Sequence, residues 1–127
     1  MKKSVSIIFL CLILFVLIRC KKDLTVTSID QIPGTWRWEY SCGGANDTCI
    51  YGSKSNYATI EFRSDGKYVE KHNDTIYLQT NYTLINTDYT FGSLVLDSPA
   101  VSLPIAILDN LLLITRGNYL DTYKKIK

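Results

Sequence analysis

Apolar and polar residues alternate with a period of two along most of the chain after residue 34. Residues 35–40 alternate aromatic with polar side chains, and residues 57–63 place three apolar side chains on one face. This period is typical of a β-strand with one buried face. Six further segments have the length and composition of strands, at residues 67–71, 75–84, 89–96, 101–108, 111–115 and 119–126. The pattern predicts about eight short strands.

Turn-forming residues separate these segments at intervals of about 8 to 12 residues, which is typical of a sandwich or barrel. Asp65-Gly66 predicts a tight hairpin, because this dipeptide tolerates the positive φ angles of such turns, and Asn73-Asp74 and Asp109-Asn110 predict two more. Pro104 cannot donate a ladder hydrogen bond, so we expect an edge, a bulge or a kink there. The fold class predicted is all-β, a small antiparallel up-and-down barrel, with a sandwich as the alternative.

The amino terminus has a different pattern. Lys2 and Lys3 precede an apolar run over residues 5–18, which ends at Arg19. A charged segment followed by a short apolar one is typical of a signal peptide. A membrane-spanning helix needs about 20 apolar residues, and this run is shorter. We therefore predict a cleaved signal peptide at residues 1–19, with a retained anchor helix as the alternative.

The residues around Cys20 suggest a lipid anchor. Residues 17–20 resemble a lipobox, the site cut before a cysteine that then carries lipid, although Arg19 stands where a small residue is usual. The following Lys21-Lys22-Asp23 resembles the charged tag of surface lipoproteins in Bacteroidota. These resemblances imply lipidation of Cys20 and a position at the outer membrane on its periplasmic or cell-surface side. Residues 24–32 contain Thr, Ser, Asp and Gln and have no strong period, so we expect residues 20–32 to form the lipidated cysteine and a tether. The alternative is an unmodified thiol at Cys20.

Charge argues against nucleic acid as a partner. Removing residues 1–19 lowers the number of basic residues from 14 to 11, against 12 acidic residues. The basic excess therefore belongs to the targeting segment, and no basic face is expected on residues 33–127, which form the predicted domain.

Cys42 and Cys49 are separated by a segment rich in turn-forming residues. In an oxidising compartment outside the cytoplasm, we expect them to form a disulfide. A metal or redox pair is the alternative, but the spacing lacks the Cys-x-x-Cys pattern of those sites, and His72 is the single histidine of the sequence. We predict no metal and no cofactor.

Three short motifs resemble the lipocalin-like lipoproteins of Bacteroidota. They are Gly34-Thr35-Trp36 at the first strand, the hairpin sequence over residues 60–68, and a last strand rich in Tyr and Lys over residues 119–127. The resemblance implies that Trp36 plugs the closed end of a barrel and that an arginine near the last strand packs on it. Arg116 matches that arginine by position, through a cation–π contact.

The sequence offers little catalytic chemistry. His72 falls in a predicted turn, where a histidine is usually solvated. Glu39, Glu61 and Glu70 lie at strand positions, and the alternation around Glu61 predicts a solvated charge. We therefore predict no catalytic residue and no enzymatic activity.

Two functions remain open. A barrel that binds a small apolar molecule or a glycan fragment is one hypothesis. The other is a filled barrel that contacts another envelope protein through loops such as residues 42–49, because small eight-stranded barrels either fill with side chains or hold one small ligand.

Overall fold

The computed structural model describes residues 26–127, which form a closed antiparallel barrel of eight strands with one additional strand. The predicted all-β, up-and-down barrel is confirmed, and the sandwich alternative is wrong. The predicted signal peptide and Cys20 lie outside the described residues. The elements are a 3-10 helix, Ile29–Gln31, and the strands β1 Gly34–Gly43, β2 Thr48–Tyr51, β3 Ala58–Phe62, β4 Lys67–His72, β5 Thr75–Asn86, β6 Phe91–Asp97, β7 Ala100–Leu108, β8 Leu111–Arg116 and β9 Tyr119–Lys125.

The barrel closes through β1, which pairs with β9 along one edge, from Trp36 opposite Lys125 to Gly43 opposite Tyr119. The other edge of β1 pairs with β3 near its start and with β2 near its end. The two short strands therefore follow one another along the same edge. The additional strand β2 was not predicted, because its four residues are exposed and lack a buried face.

The tight turns lie where the sequence predicts them. Gly66 has a φ of 81°, which its missing Cβ allows. Asn73 and Asp74 have φ angles of 48° and 65°, and Asp109 and Asn110 have 48° and 67°. Two consecutive residues at positive φ match the right-handed twist of the flanking strands.

Pro104 also lies at an edge position. Strand β7 pairs with β6 from Ala100 to Ala106 but with β8 only from Ile105 to Leu108. The missing N–H of Pro104 is therefore beside a stretch where β7 is paired on one side only, and no ladder bond to β8 is lost.

Apolar side chains from alternate positions fill one half of the barrel. They form one cluster around Trp36, in which Phe62 packs edge-on against Tyr68 and Tyr82, with ring centroids 5.3 and 5.2 Å apart. The other members come from every side of the barrel and include Ile60, Leu94, Ile105, Leu112 and Ile114.

This filled half is closed by the segment that precedes β1. Val26, Ile29 and Ile32 are buried, and the N–H of Ile29 donates to the carbonyl of Tyr89 at 2.9 Å. The prediction that residues 20–32 form only a tether is therefore wrong for residues 26–32. Their apolar side chains recur every third residue, which suits one face of a 3-10 helix. We call this the closed end of the barrel and the opposite end, with the β4–β5 and β8–β9 turns, the open end.

Gly34 and Trp36 both contribute to the closed end. Gly34 has a φ of 131°, and a Cβ at this position would collide with the carbonyl oxygen of Lys127. Trp36 is fully buried, and its indole N–H donates to the carbonyl of Ile32 at 2.7 Å. The glycine lets the backbone of Lys127 approach, and the tryptophan holds the closing segment against the barrel.

Candidate functional site

A group of charged side chains lies inside the barrel at the open end. Strand β4 places Tyr68, Glu70 and His72 on its inner face, because alternate residues of a strand point the same way. The inner positions of β8 run from Leu112 and Ile114 to Arg116, so the interior changes from apolar to charged along one strand. Glu70 is only 4% exposed despite its charge.

Arg116 is the centre of this group. Its Nη2 donates to the hydroxyl of Tyr68 at 2.9 Å and to Oε2 of Glu70 at 3.0 Å. The Tyr68 hydroxyl in turn donates to the same Glu70 oxygen at 2.9 Å. On its other side, Nε of Arg116 lies 3.2 Å from Oδ2 of Asp121. One guanidinium therefore stands between two carboxylates, which offsets part of the cost of burying Glu70.

A second branch runs from Asp121 to β1. Oγ of Ser41 donates to Oδ1 of Asp121 at 2.6 Å and accepts from the indole N–H of Trp38 at 2.8 Å. This branch fixes the indole of Trp38 against the polar group, whereas Trp36, two residues earlier, faces the apolar core.

His72 lies at the mouth of the site. Its Nε2 is 2.9 Å from Oε1 of Glu70, and its ring is stacked on Tyr77 with centroids 4.5 Å apart. The side chain is 50% exposed. Nearby, the hydroxyl of Tyr57 donates to the carboxylate of Asp74 in the β4–β5 turn. The histidine thus connects the buried carboxylate to solvent.

The charges and hydrogen bonds around Glu70, together with burial, determine which side chains of the site are ionised. Burial alone raises the pKa of Glu70, but the positive charge of Arg116 and hydrogen bonds from His72, Tyr68 and Arg116 outweigh it, so the net pKa is lowered. Burial raises the pKa of Tyr68 and of Tyr123 far above the ordinary tyrosine value. At neutral pH Glu70 is therefore a carboxylate beside the Arg116 guanidinium, and Tyr68 and Tyr123 are neutral.

These side chains surround a cavity of about 330 Å³ that opens at this end of the barrel. The volume is within the range of small-molecule sites. Hydrogen-bonding groups and aromatic rings share its wall. The lining residues are Trp38, Ser41, Asn56, Tyr57, Ala58, Glu70, His72, Tyr77, Arg116, Asp121 and Tyr123.

A second cleft, of about 430 Å³, lies beside the loop over residues 52–57. Arg37 and Glu39 line it, and they form an exposed ion pair with each other at 2.9 Å. Its wall contains no buried charged group, since both of these side chains reach solvent. The open-end cavity is therefore the better candidate.

The expected contact between Arg116 and Trp36 is absent from the structure. Arg116 ends β8 at the open end, whereas Trp36 lies near the closed end, so the prediction of their contact is wrong. Lys125, which is directly opposite Trp36 on β9, has its Nζ 5.6 Å from the centroid of the indole ring. A cation does pack on the plugging tryptophan, but it comes from the last strand itself.

The expectation of solvated strand carboxylates is wrong for Glu70. Its position follows from the hairpin at Asp65-Gly66, which places Phe62 opposite Tyr68 and Ile60 opposite Glu70. The register of that turn could have identified Glu70 as an inward-facing residue. Glu61, which precedes Phe62, is partly exposed and pairs with Arg63 at 3.0 Å.

The predicted disulfide is confirmed, since Cys42 and Cys49 are bonded and directly opposite one another in the β1–β2 hairpin. Among residues 26–127, no group of three or more His, Cys, Asp or Glu side chains is arranged to hold a metal ion. Nor does the described part of the chain contain a helix of the length and apolar character needed to cross a bilayer.

Comparison of the chain with family models, with curated proteins and with solved structures found no match.

Proposed function

We propose that this protein is a lipid-anchored protein of the cell envelope, related to lipocalin-like lipoproteins, whose barrel binds a small polar ligand of the glycan class. The observation that carries the proposal is the open-end cavity, in which charged hydrogen-bonding groups and aromatic rings face the same space. Ligand sites combine apolar or aromatic walls with a few fixed polar groups.

The side chains that line the open-end cavity favour a glycan over an apolar molecule, the two ligand classes that the sequence allowed. An apolar molecule in this cavity would remove water from Glu70, Arg116 and Asp121 without offering them hydrogen bonds, and covering polar groups without new hydrogen bonds is costly. A sugar presents hydroxyls that both donate and accept. Its apolar ring faces would contact Trp38 and Tyr77, while the apolar residues of the barrel fill the closed half and leave the polar end for binding.

The lipid anchor is supported by the signal-like amino terminus and the residues around Cys20. The proposed place at the outer membrane, on its periplasmic or cell-surface side, depends on that anchor. The Gly34-Thr35-Trp36 motif and the closed up-and-down barrel support the relation to lipocalin-like proteins.

A second function is favoured by the β1–β2 hairpin. Within the described residues, β2 pairs with β1 alone, and Ile50 and Tyr51 are exposed on it. An edge strand with exposed apolar side chains is suited to pairing with a strand from another protein. In this alternative, the hairpin rather than the cavity would make the functional contact with an envelope protein.

The ligand proposal can be tested by NMR titration of the ¹⁵N-labelled protein with mono- and disaccharides, and separately with palmitate. We expect a saccharide to shift the resonances of residues around His72 and Tyr77. The variant Tyr77→Ala should weaken the binding of that saccharide about fivefold, because one aromatic contact contributes about 1 kcal/mol to binding. The matched control, Tyr89→Ala at the closed end, should bind like the unchanged protein.

Two other results of the titration would contradict the proposal. Shifts at the open end with palmitate and with no saccharide would favour an apolar ligand and overturn the glycan class. Absence of open-end shifts with every probe would contradict the ligand function and favour the alternative function of the hairpin.

A further inference from the structure

An apolar patch covers the outside of the barrel near its closed end. It consists of Ile85, Tyr89, Phe91 and Leu108, which are 56%, 82%, 56% and 58% exposed. We call these four residues the closed-end patch. Exposed apolar residues are ordinary when scattered, but a contiguous group marks a contact surface.

The pairing of strands brings these residues together. Ile85 is opposite Ser93 on β6, two residues from Phe91, and Phe91 is opposite Ala106 on β7. The N–H of Ile107 donates to the carbonyl of Thr90 at 2.8 Å, which holds the β5–β6 turn with Tyr89 beside Leu108. The patch therefore runs across three neighbouring strands and onto the rim of the closed end.

The chain enters the barrel at the same place. The N–H of Val26 donates to Oδ1 of Asn110 at 2.7 Å, in the turn that directly follows Leu108. Cys20 precedes Val26 by six residues. Because a fully extended chain advances at most about 3.6 Å per residue, Cys20 lies within about 22 Å of Val26.

We propose that the closed-end patch lies against the lipid surface of the membrane to which Cys20 anchors the protein. This inference depends on the lipid anchor of the proposed function. A tether this short keeps the closed end near the bilayer, and the patch is the apolar surface beside its point of attachment. Aromatic residues such as Tyr89 and Phe91 favour the boundary between headgroups and acyl chains. The open-end cavity then faces away from the membrane and is accessible to ligand.

The orientation can be measured by quenching of tryptophan fluorescence with brominated lipids. The full chain, produced in cells that process lipoproteins, is reconstituted into phosphatidylethanolamine and phosphatidylglycerol vesicles. Tyr89→Trp places the reporter in the patch. Tyr51→Trp is the matched control, since Tyr51 is also an exposed tyrosine but lies on β2 towards the open end. The buried Trp36 and partly buried Trp38 contribute the same background to both, which the unchanged protein measures.

We expect Tyr89→Trp to lose fluorescence in brominated vesicles, while Tyr51→Trp keeps its fluorescence. Equal quenching of the two, or none in either, would overturn the inference if intact mass confirms lipid on Cys20. A mass without lipid would refute the anchor, and the orientation with it, but would leave the ligand function untouched. Cross-linking of two copies through the patch, without quenching, would assign the surface to a dimer instead.

Discussion

The two ends of the barrel differ in the side chains that neighbouring positions of the same strands place inside it: apolar at one end, polar and charged at the other. On β1, Trp36 is fully buried and its indole N–H donates to a backbone carbonyl of the closing segment. Two residues later, Trp38 is partly exposed, and its indole N–H donates to Ser41 in a network of charged side chains. On β8, the inner positions likewise change from Leu112 to Arg116. The closed end is held by packing, and the open end by paired charges.

The apolar packing at the closed end and the charge pairs at the open end contribute to stability in different ways. Close packing of apolar side chains stabilises a fold without further requirements. A buried polar network stabilises it only while every member is paired, and apolar replacement of such a network is often neutral or stabilising. Since apolar side chains could stabilise the open end as well as these charges do, the charges are the better candidates for function.

The largest effect is expected from the tryptophan of the closed end. Trp36→Ala should lower the free energy of unfolding by about 4 kcal/mol, because it removes a fully buried ring and the hydrogen bond to Ile32. Trp38→Ala is the matched comparison and should lower it by roughly half as much, since Trp38 is only partly buried. Urea unfolding followed by circular dichroism measures both. Equal losses would show that the two ends contribute alike to stability.

The next effect concerns the paired charges. Arg116→Met leaves Glu70 and Asp121 without their shared cation, and we expect a loss of about 2 to 3 kcal/mol. This is at the low end for a buried pair, because the Arg116 side chain is 29% exposed. Combining Arg116→Met with Glu70→Gln and Asp121→Asn should recover most of the loss.

The control for this prediction is Arg63→Met, which removes the outer ion pair with Glu61 and should change the free energy of unfolding little, because an exposed ion pair contributes little to stability. If the combined variant were no more stable than Arg116→Met alone, packing rather than charge would govern the open end, and the contrast between the ends would fail.

The fold could be predicted from the sequence because its signals are local. Alternation within each strand and the turns at Asp65-Gly66, Asn73-Asp74 and Asp109-Asn110 identify strands that follow one another in an up-and-down order. The disulfide could be predicted as well, since the two cysteines flank a short turn. Strand β2 could not, because four exposed residues have neither a buried face nor a period.

The site was missed because it depends on the register between strands. Glu70 lies between Val69 and Lys71, and its charge predicts a solvated side chain within its own segment, whereas the pairing with Ile60 shows that it faces inward. Arg116, Asp121 and Ser41 come together across β8, β9 and β1, at separations of up to 80 residues. The closing segment was missed for a different reason, since three apolar residues around a single 3-10 turn are too few to distinguish a buried segment from a linker.

The smallest expected effect is on the pH dependence of stability, to which a carboxylate at each end of the barrel contributes. The folded-state pKa of Glu70 is lowered, so its contribution to stability is complete above the ordinary carboxyl pKa of about 4.3 and is lost as the pH falls towards the lower folded value. Glu70→Gln should therefore flatten the acid side of the stability profile.

Asp88→Asn is the matched change at the closed end, where backbone N–H groups of Thr90 and Phe91 lower the pKa of an exposed carboxylate. We expect it to flatten the profile less, because solvent weakens the contribution of an exposed group. Urea midpoints between neutral pH and about pH 3 compare the two, and a larger effect for Asp88→Asn would place the acid sensitivity at the closed end instead.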